Sequence, residues 1–164
     1  MAIDWNAIAT QVGDLNADGS ERGSGTESGR RALEILIGED NLREAVDHFI
    51  SLERGAFTAE MVVKIVRSKV PMKHCLEIYK GEPGTKRASS AIFMFGSFAD
   101  CTALPWVRDF LGDSNVVVRL NGLRVLRNIL YDFNALSDEQ LATAKELLKE
   151  SESDPDPTVT LLAV

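Results

Sequence analysis

Apolar residues recur every three or four positions along most of this chain, and Gly, Pro, Ser, Asp or Asn interrupts each run after a few turns. That spacing places them on one side of successive helices. A short first helix is expected over Trp5–Val12. Ser28 then caps a helix with Ala32, Leu33, Leu36 and Ile37 on one stripe, ending at Gly38. Asp40 or Asn41 opens the next, with Leu42, Ala45, Val46, Phe49 and Ile50 together, and Thr58 precedes one carrying Met61, Val62, Ile65 and Val66. Pro71 at a first helical position begins a run through Cys75, Leu76 and Tyr79, and Thr85 caps another to about Phe98. Ser137 with Gln140 three residues on reads as a capping box for a helix to about Lys149. Paired helices therefore fall at about 41–69, 71–98, 102–131 and 137–164, and no strand-like alternation appears. The expected class is all-α.

The segment 103–126 is the most specific. Leu104, Val107, Phe110 and Leu111 lie at helical spacing, Pro105 is tolerated in the first turn, and Gly112-Asp113-Ser114-Asn115 form a turn with capping side chains. A second helix aligns Val118, Gly122, Val125, Leu126, Ile129 and Leu130, with Arg119, Arg124, Arg127 and Asn128 off that stripe. Gly122 costs about 1 kcal/mol of helix propensity relative to Ala, which makes sense where a neighbouring helix approaches closely. The early Leu-Pro, Phe110-Leu111, the turn Asp113 and the helix-opening Arg119 together resemble one HEAT repeat, the two-helix unit of α-solenoids. The resemblance implies a short right-handed α-solenoid of helix pairs over 30–164. It also implies structural, hydrogen-bonding roles for Asp113 and Arg119, and work as a binding surface rather than as an enzyme. Within 1–29, the Gly/Ser/Asp-rich composition of 13–29 reads as a flexible linker behind the short first helix. An offset of 32 aligns Arg87 with Arg119 and sets Ser90, Phe93, Met94 and Phe98 on the buried positions of the later repeat.

Charge narrows the range of partners. The chain has 164 residues and a net charge of −7. Residues 1–29 carry five acids against Arg22 alone, and 132–164 carry eight against Lys145 and Lys149. Between 60 and 99, by contrast, Lys64, Arg67, Lys69, Lys73, Lys80, Lys86 and Arg87 face only Glu60, Glu77 and Glu82. Overall acidity argues against direct nucleic-acid binding, whose affinity rests on neutralising phosphates. No apolar run approaches the roughly 20 residues that span a membrane, and the N-terminus does not look like a signal peptide. Cys75 and Cys101 make no disulfide framework and suit reduced, buried thiols, so a cytoplasmic address is expected.

Candidate chemistry is sparse. Asp14-x-Asn16-x-Asp18-Gly19 matches the first half of a calcium loop, but Gly25 stands where the bidentate Glu belongs. Gly23-Ser24-Gly25 with Arg30-Arg31 lacks the preceding strand and the Lys-Ser or Lys-Thr ending of a phosphate loop. His74, Cys75 and Cys101 have no chelating spacing, and His48 and His74 sit in no nucleophile–base pattern. The expectation is no cofactor, no metal and no catalysis.

Residues 91–98, Ala-Ile-Phe-Met-Phe-Gly-Ser-Phe, are apolar almost all round a helix. Such a helix is either central in its fold or exposes anchors. On the second reading Ile92 and Phe95, which the offset aligns with Arg124 and Arg127, would engage a partner protein beside Lys64, Arg67 and Arg124. Short acidic HEAT-like chains are similar to immunity proteins that bind and block bacterial toxin domains. A cytosolic adaptor in an endogenous complex is the alternative. A HEAT-like DNA glycosylase is a third reading, against which the acidity speaks.

Overall fold

The computed structural model describes residues 3–13, 17–20, 26–131 and 136–163. Every regular element among them is a helix: α1 (Trp5–Val12), α2 (Thr26–Ile37), α3 (Glu39–Ser51), α4 (Ala56–Val66), α5 (Lys69–Gly81), α6 (Lys86–Phe95), α7 (Leu104–Leu111), α8 (Val116–Tyr131), α9 (Asp138–Ser151) and α10 (Pro157–Ala163), with a 3₁₀ turn at Cys101–Ala103 before α7. Among the described residues no helix is long and apolar enough to cross a membrane. Three of the caps that the sequence signals are present. Thr85 accepts from the Ala88 N–H, Asn115 from the Val117 N–H, and Ser137 and Gln140 form a reciprocal capping box. Elsewhere the starts shift. α2 begins at Thr26 rather than after Ser28, α5 begins at Lys69 with Pro71 inside its first turn, and α3 follows Gly38 without a side-chain cap.

The chain forms two compact units, Met1–Pro71 and Met72–Val164. The division falls after Pro71 rather than at residue 29, so residues 30–71, which the repeat pattern joins to the later helices, belong to the first unit. Much of the expected 13–29 linker lies outside the described residues. Of the rest, 17–20 is a turn in which Asp18 accepts from both the Ser20 N–H and its hydroxyl, and Thr26 onward is helix. In the first unit, α3 and α4 pack together through Leu42, Val46 and Phe49 against Ala56, Val63 and Val66. α2 packs on both but buries none of its residues fully, leaving Leu33 and Leu36 about 40% exposed. Ser68, itself buried, donates to the Glu34 carboxylate and ties the end of the unit to α2.

In the second unit α8 is the central helix, packing against α6, α7, α9 and α10. Gly122 makes its seat on α7 possible. A Cβ there would lie 2.7 Å from the Phe110 Cβ and 3.3 Å from the Phe110 carbonyl carbon. From that contact the stripe Val118, Val125, Leu126 and Ile129 runs buried along α8. Phe110 in turn meets Phe95 edge-on at 5.5 Å and Tyr79 at 5.2 Å, and Phe95 also packs against Trp106 and Phe98. α6 and α8 run parallel. Asn121 donates to the Ser89 carbonyl and Asn128, two turns later, to the Gly96 carbonyl, both across 32 residues.

Two polar links fix the turns. The Tyr79 hydroxyl donates to Asp113 at 2.7 Å. Burial first, then the hydrogen bond to Asp113 and its charge, push the phenol well above its usual range, so it stays protonated. Asp113 also accepts from the Asn115 N–H. Arg119 forms a two-pronged pair with Asp154 at 2.8 and 3.1 Å and donates to the Asp113 and Ser114 carbonyls. Both side chains of that pair are largely covered, at 13% and 9% exposure. Asp113 and Arg119 thus have structural roles, through Tyr79 and Asp154.

Gly122→Ala should destabilise the second unit by about 1–3 kcal/mol, since the Phe110 backbone must retreat to admit the methyl group. Chemical denaturation measures it, and a neutral or stabilising result would mean α8 and α7 are not in this contact. The Arg119–Asp154 pair sets a pH dependence. Burial pushes the Asp154 carboxyl up, but the Arg119 hydrogen bonds, the Asp156 N–H and the guanidinium charge outweigh it and hold it below its ordinary value. A depressed carboxyl contributes stability that is present above the unfolded value near 4 and lost as pH falls through the lower folded value. Asp154→Asn should therefore melt earlier than wild type at pH 7, with the gap narrowing below about pH 4. Asp154→Ala should cost about 2–3 kcal/mol at neutral pH, because Arg119 loses its counter-charge in a covered site.

Candidate functional site

Each unit carries an exposed face with more apolar surface than the fold needs. In the first unit, α4 has two apolar sides. Ala56, Val63 and Val66 face α3, while Phe57, Met61 and Ile65 follow at four-residue intervals on the far side. Their exposures are 75%, 52% and 55%. Lys64 borders this stripe and holds Glu60 at 2.8 Å. Arg67 closes α4 in the left-handed region at φ 49°, and its side chain is exposed. A non-glycine residue in that region carries a local cost of about 1 kcal/mol.

In the second unit, an open hollow of about 390 Å³ lies between α8 and α10. Leu120, Leu123 and Leu162 give it an apolar lining. Arg124 and Arg127 stand over it, with Asn121 and Asn128 along the edge towards α6. The Arg124 guanidinium is stacked on the Phe93 ring, 4.7 Å from its centroid, and Arg127 donates to the Leu162 carbonyl.

Of the sequence-expected partner residues, three are exposed or border an exposed face and two are not. Lys64 and Arg67 flank the α4 stripe, and Arg124 lines the hollow. Ile92 and Phe95 are the correction: both are 0% exposed. Phe95 fills the space between α6 and α7 against the rings of Phe98, Trp106 and Phe110, so it is a core side chain and not an anchor. The reading of that helix as central in its unit holds instead. Phe93, which the offset alignment assigns to a buried position, is 38% exposed and supports Arg124.

Sequence reasoning missed Phe57 as a surface feature and grouped Met61 and Ile65 with the inward Val66; it placed Arg127 off the buried stripe without naming it among the partner residues. The signal for the first three was available: two interleaved apolar series on one 11-residue helix cannot both face the same neighbour. For soft-ligand chemistry, Cys75 is buried and Cys101 half-buried. No group of three His, Cys, Asp or Glu among the described residues is placed to hold a metal ion. Asp14, Asn16 and Gly23–Gly25 lie outside the described residues. Compared with known families, with characterised proteins and with solved structures, the chain matches none of them.

Proposed function

We propose that this chain is a HEAT-like α-solenoid whose work is to bind another protein, without catalysis, and that its partner is a bacterial toxin domain that it blocks. The α4 stripe carries the reading. Three large apolar side chains at helical spacing, each more than half exposed, make a continuous surface that a second protein would desolvate. Phe57 and Met61 are of the size and flexibility that anchor interfaces, and Lys64 and Arg67 supply a polar border. The parallel docking of α6 and α8 across 32 residues, together with the Arg119–Asp154 link, supports the repeat architecture. The acid excess of the whole chain favours a basic target such as a nuclease toxin, with charge accelerating encounter. The same stripe would serve an adaptor subunit, and the identity of the neighbouring gene distinguishes the two.

The test is co-purification with the product of the adjacent gene, followed by binding kinetics at low and high salt. A stable complex is expected, with an on-rate that falls as salt rises. Phe57→Ser combined with Met61→Ser should weaken it by about 2 kcal/mol or more, while the melting curve stays within about 0.5 kcal/mol of wild type. Absence of a complex, together with turnover of a damaged nucleotide or other small molecule, would sink the binding reading. Retention of full affinity in the double variant would remove the α4 stripe from it.

A further inference from the structure

We infer that the outward face of α8, with the flanking parts of α6 and α10, is a docking site for an acidic peptide segment of a protein partner. The inference rests on the binding-module reading and adds to it a second surface and the chemistry of what that surface holds. Charge segregation is the first support. The chain has 25 acidic residues against 18 Lys and Arg, yet α6, α8 and α10 contain no Asp or Glu at all. α9, packed against α8 and α10, carries Asp138, Glu139, Glu146 and Glu150. An acidic protein has thus kept three adjoining helices free of negative charge.

Two of the α8 arginines, Arg124 and Arg127, are exposed. Arg119 is committed to Asp154, but Arg124 and Arg127 make no ion pair among the described residues. Stacking on Phe93 fixes the plane of the Arg124 guanidinium while leaving its N–H edge for a carboxylate. The apolar lining argues for a peptide over a free anion. Leu120 and Leu162 remain partly uncovered beside the two guanidiniums, and a bare carboxylate would leave them so. A chain that alternates acidic and apolar side chains satisfies both at once. The length fits as well. Val117 and Tyr131, 48% and 91% exposed, lie seven residues either side of Arg124 on the same face. From one to the other is about 21 Å at 1.5 Å per residue, the span of about six extended residues.

Fluorescence polarisation on the full chain tests the inference, using labelled nine-residue peptides of alternating Glu and Leu, Lys and Leu, or Glu and Gly, and a uridine oligonucleotide. The Glu/Leu peptide should bind, and more weakly as salt is raised. Glu/Gly should bind at least several-fold more weakly, and Lys/Leu should not bind. Arg124→Glu with Arg127→Glu should reduce Glu/Leu affinity at least tenfold. The milder pair Arg124→Gln with Arg127→Gln should lower it in the same direction with the helical melting curve unchanged, which separates a lost contact from a lost fold. No Glu/Leu binding at millimolar concentration, equal binding of the Lys/Leu peptide, preference for the oligonucleotide, or indifference to both Arg pairs would each overturn the proposal. If the adjacent gene's product binds and is insensitive to both Arg pairs, the binding-module reading stands and this face falls. If the peptide binds as expected and that product does not, the face stands and the toxin assignment falls.

Discussion

The close approach of α8 to α7 at Gly122 governs the second unit. With no side chain there, the α8 backbone comes against Phe110, where a Cβ would meet the Phe110 Cβ at 2.7 Å. Fixing one residue of a helix at that distance fixes its rotation. Val118, Val125, Leu126 and Ile129 must then turn inward, and Arg124, Arg127 and Tyr131 outward. The same contact holds Phe110, whose ring meets both Phe95 and Tyr79, and the Tyr79 hydroxyl reaches the Asp113 carboxylate in the turn that starts α8. Glycine's propensity cost is small beside the burial that follows from it.

The charges follow the same geometry. Arg119 falls on the side of α8 that faces the Asp154 turn, where its charge is matched and covered. Arg124 lies five residues further on and is aimed at solvent and the Phe93 ring. One helix therefore uses chemically identical side chains for two tasks, one internal and one external, separated only by their angle about the axis. In the first unit the division is by series along the helix. Val63 and Val66 serve the core, and Phe57, Met61 and Ile65 lie on the side away from it.

Much of this was legible in the sequence because caps, glycines and prolines mark helix ends through local chemistry. Ser137 with Gln140, Thr85 and Asn115 behave as their types require. The meaning of Gly122 was legible too, since a helix tolerates glycine at a buried position chiefly for proximity. Which side of α6 faces inward was not. The spacing of 32 recurs in the two asparagine links, yet Ile92 is buried where Arg124 is exposed. The aromatic cluster of Phe95, Phe98, Trp106 and Phe110 decides that, and it joins residues whose contact no local spacing encodes. The exposure of Leu33 and Leu36 was likewise hidden, because an amphipathic pattern states that a helix has an apolar side and not how fully a neighbour covers it.

The two asparagines of α8 carry one more consequence. Asn121 and Asn128 grip main-chain carbonyls, at Ser89 and Gly96, and every amino acid supplies that acceptor. The donor half of each contact depends on side-chain identity. At the acceptor half only size matters, most at Gly96, where an added Cβ would meet the Val125 side chain at 3.3 Å. Substitutions should accumulate unevenly across a contact built this way, with Ser89 freer to change than the two amides that reach for the α6 side. A pair of asparagines seven apart, the first one residue before a small residue and the second two after a buried leucine, is then a better signature for tracing distant descendants of this unit than any residue they touch.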